Sequence, residues 1–165
     1  MKVQELMTKG VEACSRDSNL AAATMIMWRM DCGAVPVVND RKVVGMITDR
    51  DICVAVATKH RRAEEIMVGE VASSTLHHVH PDDDVRVALD TMRSERVRRL
   101  PVVDDDGRLE GIVSLSDVVR SASKSSGRSR SGISAEDVLE VMKSICEQDG
   151  GIEVARRKAA FAART

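Results

Sequence analysis

Two short segments of the sequence place a hydroxyl three residues before a carboxylate. Thr48 precedes Asp51 in one segment, and Ser114 precedes Asp117 in the other. A carboxylate can accept both hydroxyls of a sugar diol, and the start of a helix beside a hydroxyl can receive a phosphate through unpaired N–H groups. The same spacing is also a capping box with Asp in place of Glu, which only stabilises the start of a helix. The residues therefore indicate a sugar-phosphate site or a pair of helix caps.

The two segments belong to an internal repeat. Residues 33–38 resemble residues 98–103 at an offset of 65, and residues 44–52 resemble residues 110–118 at an offset of 66. Upstream, both copies carry one apolar stripe at i, i+3, i+4 and i+7, which predicts the same buried helix twice. The stripe consists of Leu20, Ala23, Thr24 and Met27 in copy one and of Val85, Ala88, Leu89 and Met92 in copy two.

Each copy predicts a strand, a helix, two strands joined by a tight turn, and a second helix. In copy one these are 11–15, 18–31, 34–38, 42–48 and 49–58, and in copy two 76–80, 83–96, 99–104, 108–114 and 115–122. Since about 60 residues bury too little surface alone, we expect the copies to pack as one module. The predicted fold class is α/β (α+β), with two pseudo-symmetric β-α-β-β-α repeats at residues 1–60 and 61–123.

The rest of the chain predicts a different kind of structure. Residues 124–133 are rich in Ser, Gly and Arg and predict a flexible linker. Residues 134–165 predict a C-terminal helical tail, with one capped helix at 134–147 and a more basic helix at 152–163.

The repeated segments resemble the CBS-domain family, named after the regulatory region of cystathionine beta-synthase. The resemblance rests on Ala34-Val35-Pro36, its counterpart Arg99-Leu100-Pro101, and the Gly-apolar-x-Thr/Ser-x-x-Asp segments at 45–51 and 111–117. It covers about residues 1–122. It implies a sensor of adenosine-containing ligands such as AMP, ADP, ATP, NAD or S-adenosylmethionine, bound between the repeats.

The resemblance also implies roles for individual residues. The two Asp residues would hold ribose hydroxyls, the Thr and Ser would lie toward phosphate, and the backbone at the apolar-Pro pairs would meet adenine. By charge alone, Arg50, Arg98 and Arg99 are candidate phosphate partners. Since copy two has Ser116 where copy one has Arg50, we expect the sites to differ in phosphate preference. The candidate ligand-binding residues are Val35, Pro36, Thr48, Arg50, Asp51, His80, Arg99, Leu100, Pro101, Ser114 and Asp117.

Other patterns carry less chemistry. His78 and His80 share one strand face near His77, but two ligands do not close a metal site, so we predict no metal. No arrangement of nucleophile and base is discernible, so we predict no catalysis and no required cofactor. Gly45 and Gly111, in mid-strand, predict a bulge or a close backbone approach that could serve packing or ligand equally.

Composition limits the partners. The chain has 25 Lys and Arg residues against 26 Asp and Glu residues, and it has only two aromatic residues, so its composition argues against binding nucleic acid. It contains no apolar run of about 18 residues, so we predict no membrane span. The four cysteines lack CxxC spacing, which predicts reduced core thiols in a cytoplasmic protein. Met25, Ile26 and Trp28 lie off the buried stripe of helix 18–31, which favours a homodimer through the copy-one helices. The alternative is that the tail helix covers this surface.

The functional prediction is a regulatory adenine-nucleotide-binding module that signals to an unknown regulated protein, with helix 134–147 as its output element. The alternative is a ligand-free dimerisation scaffold whose basic-leaning tail contacts protein or nucleic acid.

Overall fold

The computed structural model describes residues 1–123 and 133–147, which form two compact units. The Asp117 unit contains Met1–Val11, Arg41–Val43 and His77–Glu147, and the Asp51 unit contains Glu12–Asp40 and Val44–Leu76. The predicted linker, except Ile133, and the predicted helix 152–163 lie outside the described residues.

Eleven strands and helices occur in the described ranges, together with 3-10 turns at Val3–Glu5, Ala63–Glu65 and Val68–Glu70. In chain order they are β1 (Thr8–Lys9), β2 (Cys14–Ser15), α1 (Leu20–Arg29), β3 (Ala34–Asn39), β4 (Lys42–Thr48), α2 (Asp49–Lys59), α3 (Val85–Glu95), β5 (Arg99–Val103), β6 (Leu109–Ser114), α4 (Leu115–Ser123) and α5 (Ala135–Cys146). The predicted mixed α+β fold class is confirmed, with two sheets and five helices in these ranges.

The sequence overestimates the first strand of each copy. Strand 11–15 reduces to β2, which pairs in parallel with β3 through Cys14 and Val37. Strand 76–80 reduces to a single bridge between Val79 and Val102. These lead-in segments are too short to form more ladder bonds, so their positions depend on tertiary contacts that periodicity does not reveal.

The Asp51 unit has a sheet of order β2-β3-β4 and a core built on the predicted helix stripe. The Asn19 side chain caps α1 by accepting a hydrogen bond from the Ala22 N–H, and Leu20, Ala23 and Met27 are buried below it. Cys14 lies in this core, and burial raises the pKa of its thiol to about 11. The expectation of core thiols holds for Cys14 and is wrong for Cys53 and Cys146, which are exposed.

The Asp117 unit has a sheet of order β1-β6-β5, with α3 and α4 in its core. Helix α5 packs against α3 and α4, and Val138 and Val141 join that core together with Ile133. The predicted helix 134–147 is therefore present, but the alternative that it covers the copy-one helices is wrong. It covers the copy-two helices instead.

The two mid-strand glycines admit a neighbouring backbone. A Cβ added at Gly45 would lie 2.1 Å from the carbonyl oxygen of Ser73, whose N–H donates to the Met46 carbonyl. A Cβ added at Gly111 would lie 2.6 Å from the carbonyl oxygen of Thr8, on the adjacent strand β1. The sequence left open whether these glycines serve packing or ligand binding, and these contacts support packing.

No helix within 1–123 or 133–147 is both long enough and apolar enough to cross a bilayer.

Candidate functional site

The first candidate site lies where β4 turns into α2. The Thr48 N–H and hydroxyl donate to Oδ2 of Asp51 at 3.0 and 2.6 Å, and the Asp51 N–H donates to the Thr48 hydroxyl oxygen at 3.1 Å. This is a complete capping box. All of these bonds to the carboxylate use Oδ2. Oδ1 of Asp51 forms no hydrogen bond with any part of the chain that the structure describes, so both of its lone pairs can accept a ligand's hydroxyls.

The expected unpaired N–H groups at this helix start are not present. The Asp49 N–H donates to the Gly33 carbonyl at 3.2 Å, and the Arg50 N–H donates to Oδ1 of Asp49 at 2.7 Å. With Thr48 and Asp51 also paired, the first four N–H groups are satisfied, and the Thr48 hydroxyl proton is directed to Asp51. The expectation fails because Asp49 and Asp51 fold back on their own helix and accept two of these bonds, while the Gly33 carbonyl and the Thr48 hydroxyl accept the other two. Arg50 is exposed on the first turn.

The second candidate site repeats the cap where β6 turns into α4. The Ser114 N–H and hydroxyl donate to Oδ2 of Asp117 at 2.8 and 2.6 Å, and the Asp117 N–H donates back to the Ser114 hydroxyl at 3.3 Å. Here the other oxygen is also occupied, because Arg120 forms an ion pair with Oδ1 of Asp117. Asp117 is the one charged residue among the buried ones in the described chain.

Arg120 is a site residue that the sequence analysis missed. Its i+3 spacing from Asp117 is the spacing of an ion pair on one helix face, so the signal was available. Copy one has Val54 at the equivalent position. The two carboxylates are therefore unequal: Asp51 has an open oxygen, whereas Asp117 already has a cationic partner.

The apolar-Pro pairs sit in the core. Val35 and Leu100 are each 1% exposed, so their side chains face the core and only their backbone could meet a ligand. The carbonyl oxygen of Pro36 accepts from Sγ of Cys14 at 3.7 Å, and that of Pro101 accepts from the Val79 N–H at 3.2 Å. Each carbonyl thus anchors the lead-in segment of its own unit.

Charge distinguishes the two sites. Arg99 lies directly opposite Ser114 in the antiparallel pair of β5 and β6, so the two side chains share one face of the sheet. The Arg98 carbonyl accepts from the Leu115 N–H, next to the same helix start. Copy one has Gly33 and Ala34 at the two arginine positions, and Asp49 at the position of Leu115. The Asp117 site is therefore rich in arginine, and the Asp51 site is acidic.

His80 is held in place by its own unit. Its N–H donates to the Asp83 carboxylate at 2.7 Å, and its ring Nδ1 lies 3.1 Å from the Val103 carbonyl oxygen. That contact assigns the ring proton to Nδ1, because a carbonyl oxygen only accepts. Within the described ranges, no group of three or more His, Cys, Asp or Glu could hold a metal ion.

Comparison with known proteins identifies the family. The CBS domain family matches twice, at residues 3–58 and 68–124. The chain belongs to the CBS-domain family. A curated relative, the CBS domain-containing protein YhcV of Bacillus subtilis, is 33% identical over 82% of this chain and 97% of its own length. The chain spans only part of two longer relatives: 23% of the inosine-5′-monophosphate dehydrogenase of Methanocaldococcus jannaschii and 45% of MK0525 of Methanopyrus kandleri, each at 34% identity.

Solved structures show the same CBS-pair fold. The CBS domain pair of MJ0100, in complex with 5′-methylthioadenosine and S-adenosyl-L-methionine, has a TM-score of 0.66 at 26% identity, covering 73% of this chain and 94% of that chain. Hypoxic Response Protein I, with two coordinated zinc ions, has a TM-score of 0.67 at 30% identity, covering 73% and 98%.

Proposed function

We propose that this chain is a regulatory module that binds an adenosine-containing ligand and passes the bound state to a partner protein. The open Oδ1 of Asp51 carries the proposal, because a half-buried aspartate with one oxygen that has two free lone pairs suits a ribose diol. The solved CBS pair that holds two adenosyl compounds supports the ligand class. Four free cysteines support a reducing, cytoplasmic setting.

The charge difference between the sites supports different ligands for each. Asp49 and Asp51 outnumber Arg50 at the Asp51 site and disfavour phosphate there, so that site suits an adenosyl ligand without phosphate, such as S-adenosylmethionine or 5′-methylthioadenosine. Arg99, with Arg98 and Arg120 near the same helix start, makes the Asp117 site suit AMP or ADP.

A thermal-shift panel tests this proposal. AMP, ADP, ATP, NAD, S-adenosylmethionine and 5′-methylthioadenosine are each added to the full chain. A ligand at 100 times its Kd adds about 2.7 kcal/mol to stability, which raises Tm by about 5–10 °C for a chain of this size. We expect a shift with at least one compound. No shift with any of them contradicts the proposal and favours the scaffold alternative, in which the tail contacts protein or nucleic acid.

The exposed face of α1 supports the proposal of a homodimer. Met25 and Trp28, one helical turn apart, are 60% and 82% exposed. Beside them, a groove of about 520 Å³ runs between α1 and α2, with Met27 and Ile52 among its apolar lining. A second copy of this face supplies matching apolar surface without a new partner, so we place the dimer contact here.

Replacing Trp28 tests the dimer. Trp28→Glu places a charge in the contact, so we expect the mass measured by light scattering to fall from two chains to one. The matched control is Val87→Glu, at a residue that is 46% exposed on α3 of the other unit, and it should stay at two chains. A one-chain mass for the unaltered protein at every concentration contradicts the dimer.

A further inference from the structure

Helix α5 covers one face of the Asp117 unit, formed by α3 and α4. The equivalent face of the Asp51 unit, on α1, is not covered by any segment within residues 1–123 and 133–147. Val138 is 7% exposed and Val141 3%, and both lie in the core that α3 and α4 form. Leu139 and Met142, on the other side of α5, are 51% and 47% exposed. The buried stripe of α5 thus takes the place that a partner helix would take on that face.

Polar contacts define how α5 sits. Ser134 and Asp137 form a capping box at its start, with the Ser134 N–H donating to Asp137 at 2.7 Å. Arg93 on α3 forms an ion pair with Glu140 on α5 at 3.3 Å. Exposed pairs of this kind add little stability, but they select one orientation of the helix. The buried valines hold α5, and these contacts orient it.

The two copies differ in sequence at the positions concerned. Copy two has Asp90 and Arg93 where copy one has Met25 and Trp28. Asp90 and Arg93 therefore stand beside the docked α5, where both side chains stay at least half exposed, while Val138 and Val141 cover the apolar core. In copy one, apolar residues stand on the face that no described segment covers. The repeated helix therefore has an internal partner in one copy and an exposed apolar surface in the other.

We infer that α5 is an intramolecular cover that restricts self-association to one face of the chain. This inference rests on the proposed dimer. A chain with one self-complementary face forms a closed pair, whereas a chain with two such faces can extend without limit. Undocking α5 uncovers the apolar helix surface of the Asp117 unit and creates the second face.

Light scattering of two full-chain variants over a range of concentrations tests this inference. Val141→Asp places a charge on the buried side of α5 and should undock it, whereas Leu139→Asp places the same charge on the exposed side. We expect two chains for the unaltered protein and for Leu139→Asp. For Val141→Asp we expect at least twice that mass, rising with concentration. The inference is overturned if Val141→Asp stays at two chains at every concentration while hydrogen exchange shows that α5 is released.

A combined variant separates the cover from the dimer and from nonspecific aggregation. With Trp28→Glu added to Val141→Asp, only the uncovered face of the Asp117 unit remains, so the mass should return to two chains. If the mass of the combined variant is as large as that of Val141→Asp alone, the inference is overturned.

If the unaltered protein is a single chain, the dimer proposal fails by itself. In that case, the inference that α5 covers a self-association face still predicts that the Val141→Asp variant forms pairs of chains. A Val141→Asp variant that stays a single chain would overturn that inference as well. Val138→Ser, a milder change on the same stripe, replaces Val141→Asp if circular dichroism shows that variant unfolded.

Discussion

Asp51→Ala is expected to weaken binding of a phosphate-free adenosyl ligand by about tenfold to several-hundredfold. The carboxylate would accept charge-assisted hydrogen bonds from the ribose hydroxyls, each worth about 1.5–3 kcal/mol, and about 1.4 kcal/mol corresponds to a factor of ten. Isothermal titration calorimetry with S-adenosylmethionine and with 5′-methylthioadenosine measures the change. Asp117→Ala should have a smaller effect on these ligands, because Oδ1 of Asp117 is already paired with Arg120.

Two control variants separate sugar binding from helix capping. Asp51→Asn keeps one carbonyl oxygen to accept the Thr48 donors but replaces the open oxygen with an NH₂ group, so stability should persist while affinity falls. Thr48→Ala removes the capping hydroxyl but keeps the carboxylate, so it should cost about 0.5–2 kcal/mol of stability and little affinity. If Asp51→Asn binds as tightly as the unaltered chain, Asp51 is only a helix cap.

Gly45→Ala is expected to destabilise the protein by about 1–3 kcal/mol, which lowers Tm by about 2–12 °C. The new Cβ would lie 2.1 Å from the carbonyl oxygen of Ser73, a backbone atom that cannot rotate away. That segment is also hydrogen-bonded to β4, since the Ser73 N–H donates to the Met46 carbonyl. Thermal and urea unfolding measure the loss.

Gly33→Ala is the matched control. Its nearest neighbour is Oδ2 of Asp49 at 3.0 Å, at the end of a side chain that can change rotamer, so the loss should be clearly smaller. Equal losses for the two substitutions would mean that the Ser73 segment moves freely away from β4. The packing role assigned to Gly45 would then be wrong.

The repeat made most of the fold predictable. Leu20, Ala23 and Met27 and all four members of the copy-two stripe are buried as the period of 3.6 requires, because a helix that buries one face must place apolar residues there. Thr24, the fourth member of the copy-one stripe, is exposed instead, and its hydroxyl donates to the Leu20 carbonyl. The capping boxes were predictable for the same reason, since they depend on residues three apart in the chain. The lead-in strands were predicted at 11–15 and 76–80, but their lengths were overestimated, because segments this short carry no clear period.

The sequence by itself determined the duplicated elements, the α+β class and the two pairs of a hydroxyl with a carboxylate, since all of these follow from local spacing. Tertiary structure decided which surfaces and atoms remain open. Only folding places α5 on α3 and α4 and pairs β1 with β6 against Gly111. Only folding shows that one oxygen of Asp51 stays open while Arg120 occupies its counterpart on Asp117. Spacing along the chain records which residues can meet, but contacts between distant segments and rotamer choice determine which of them do.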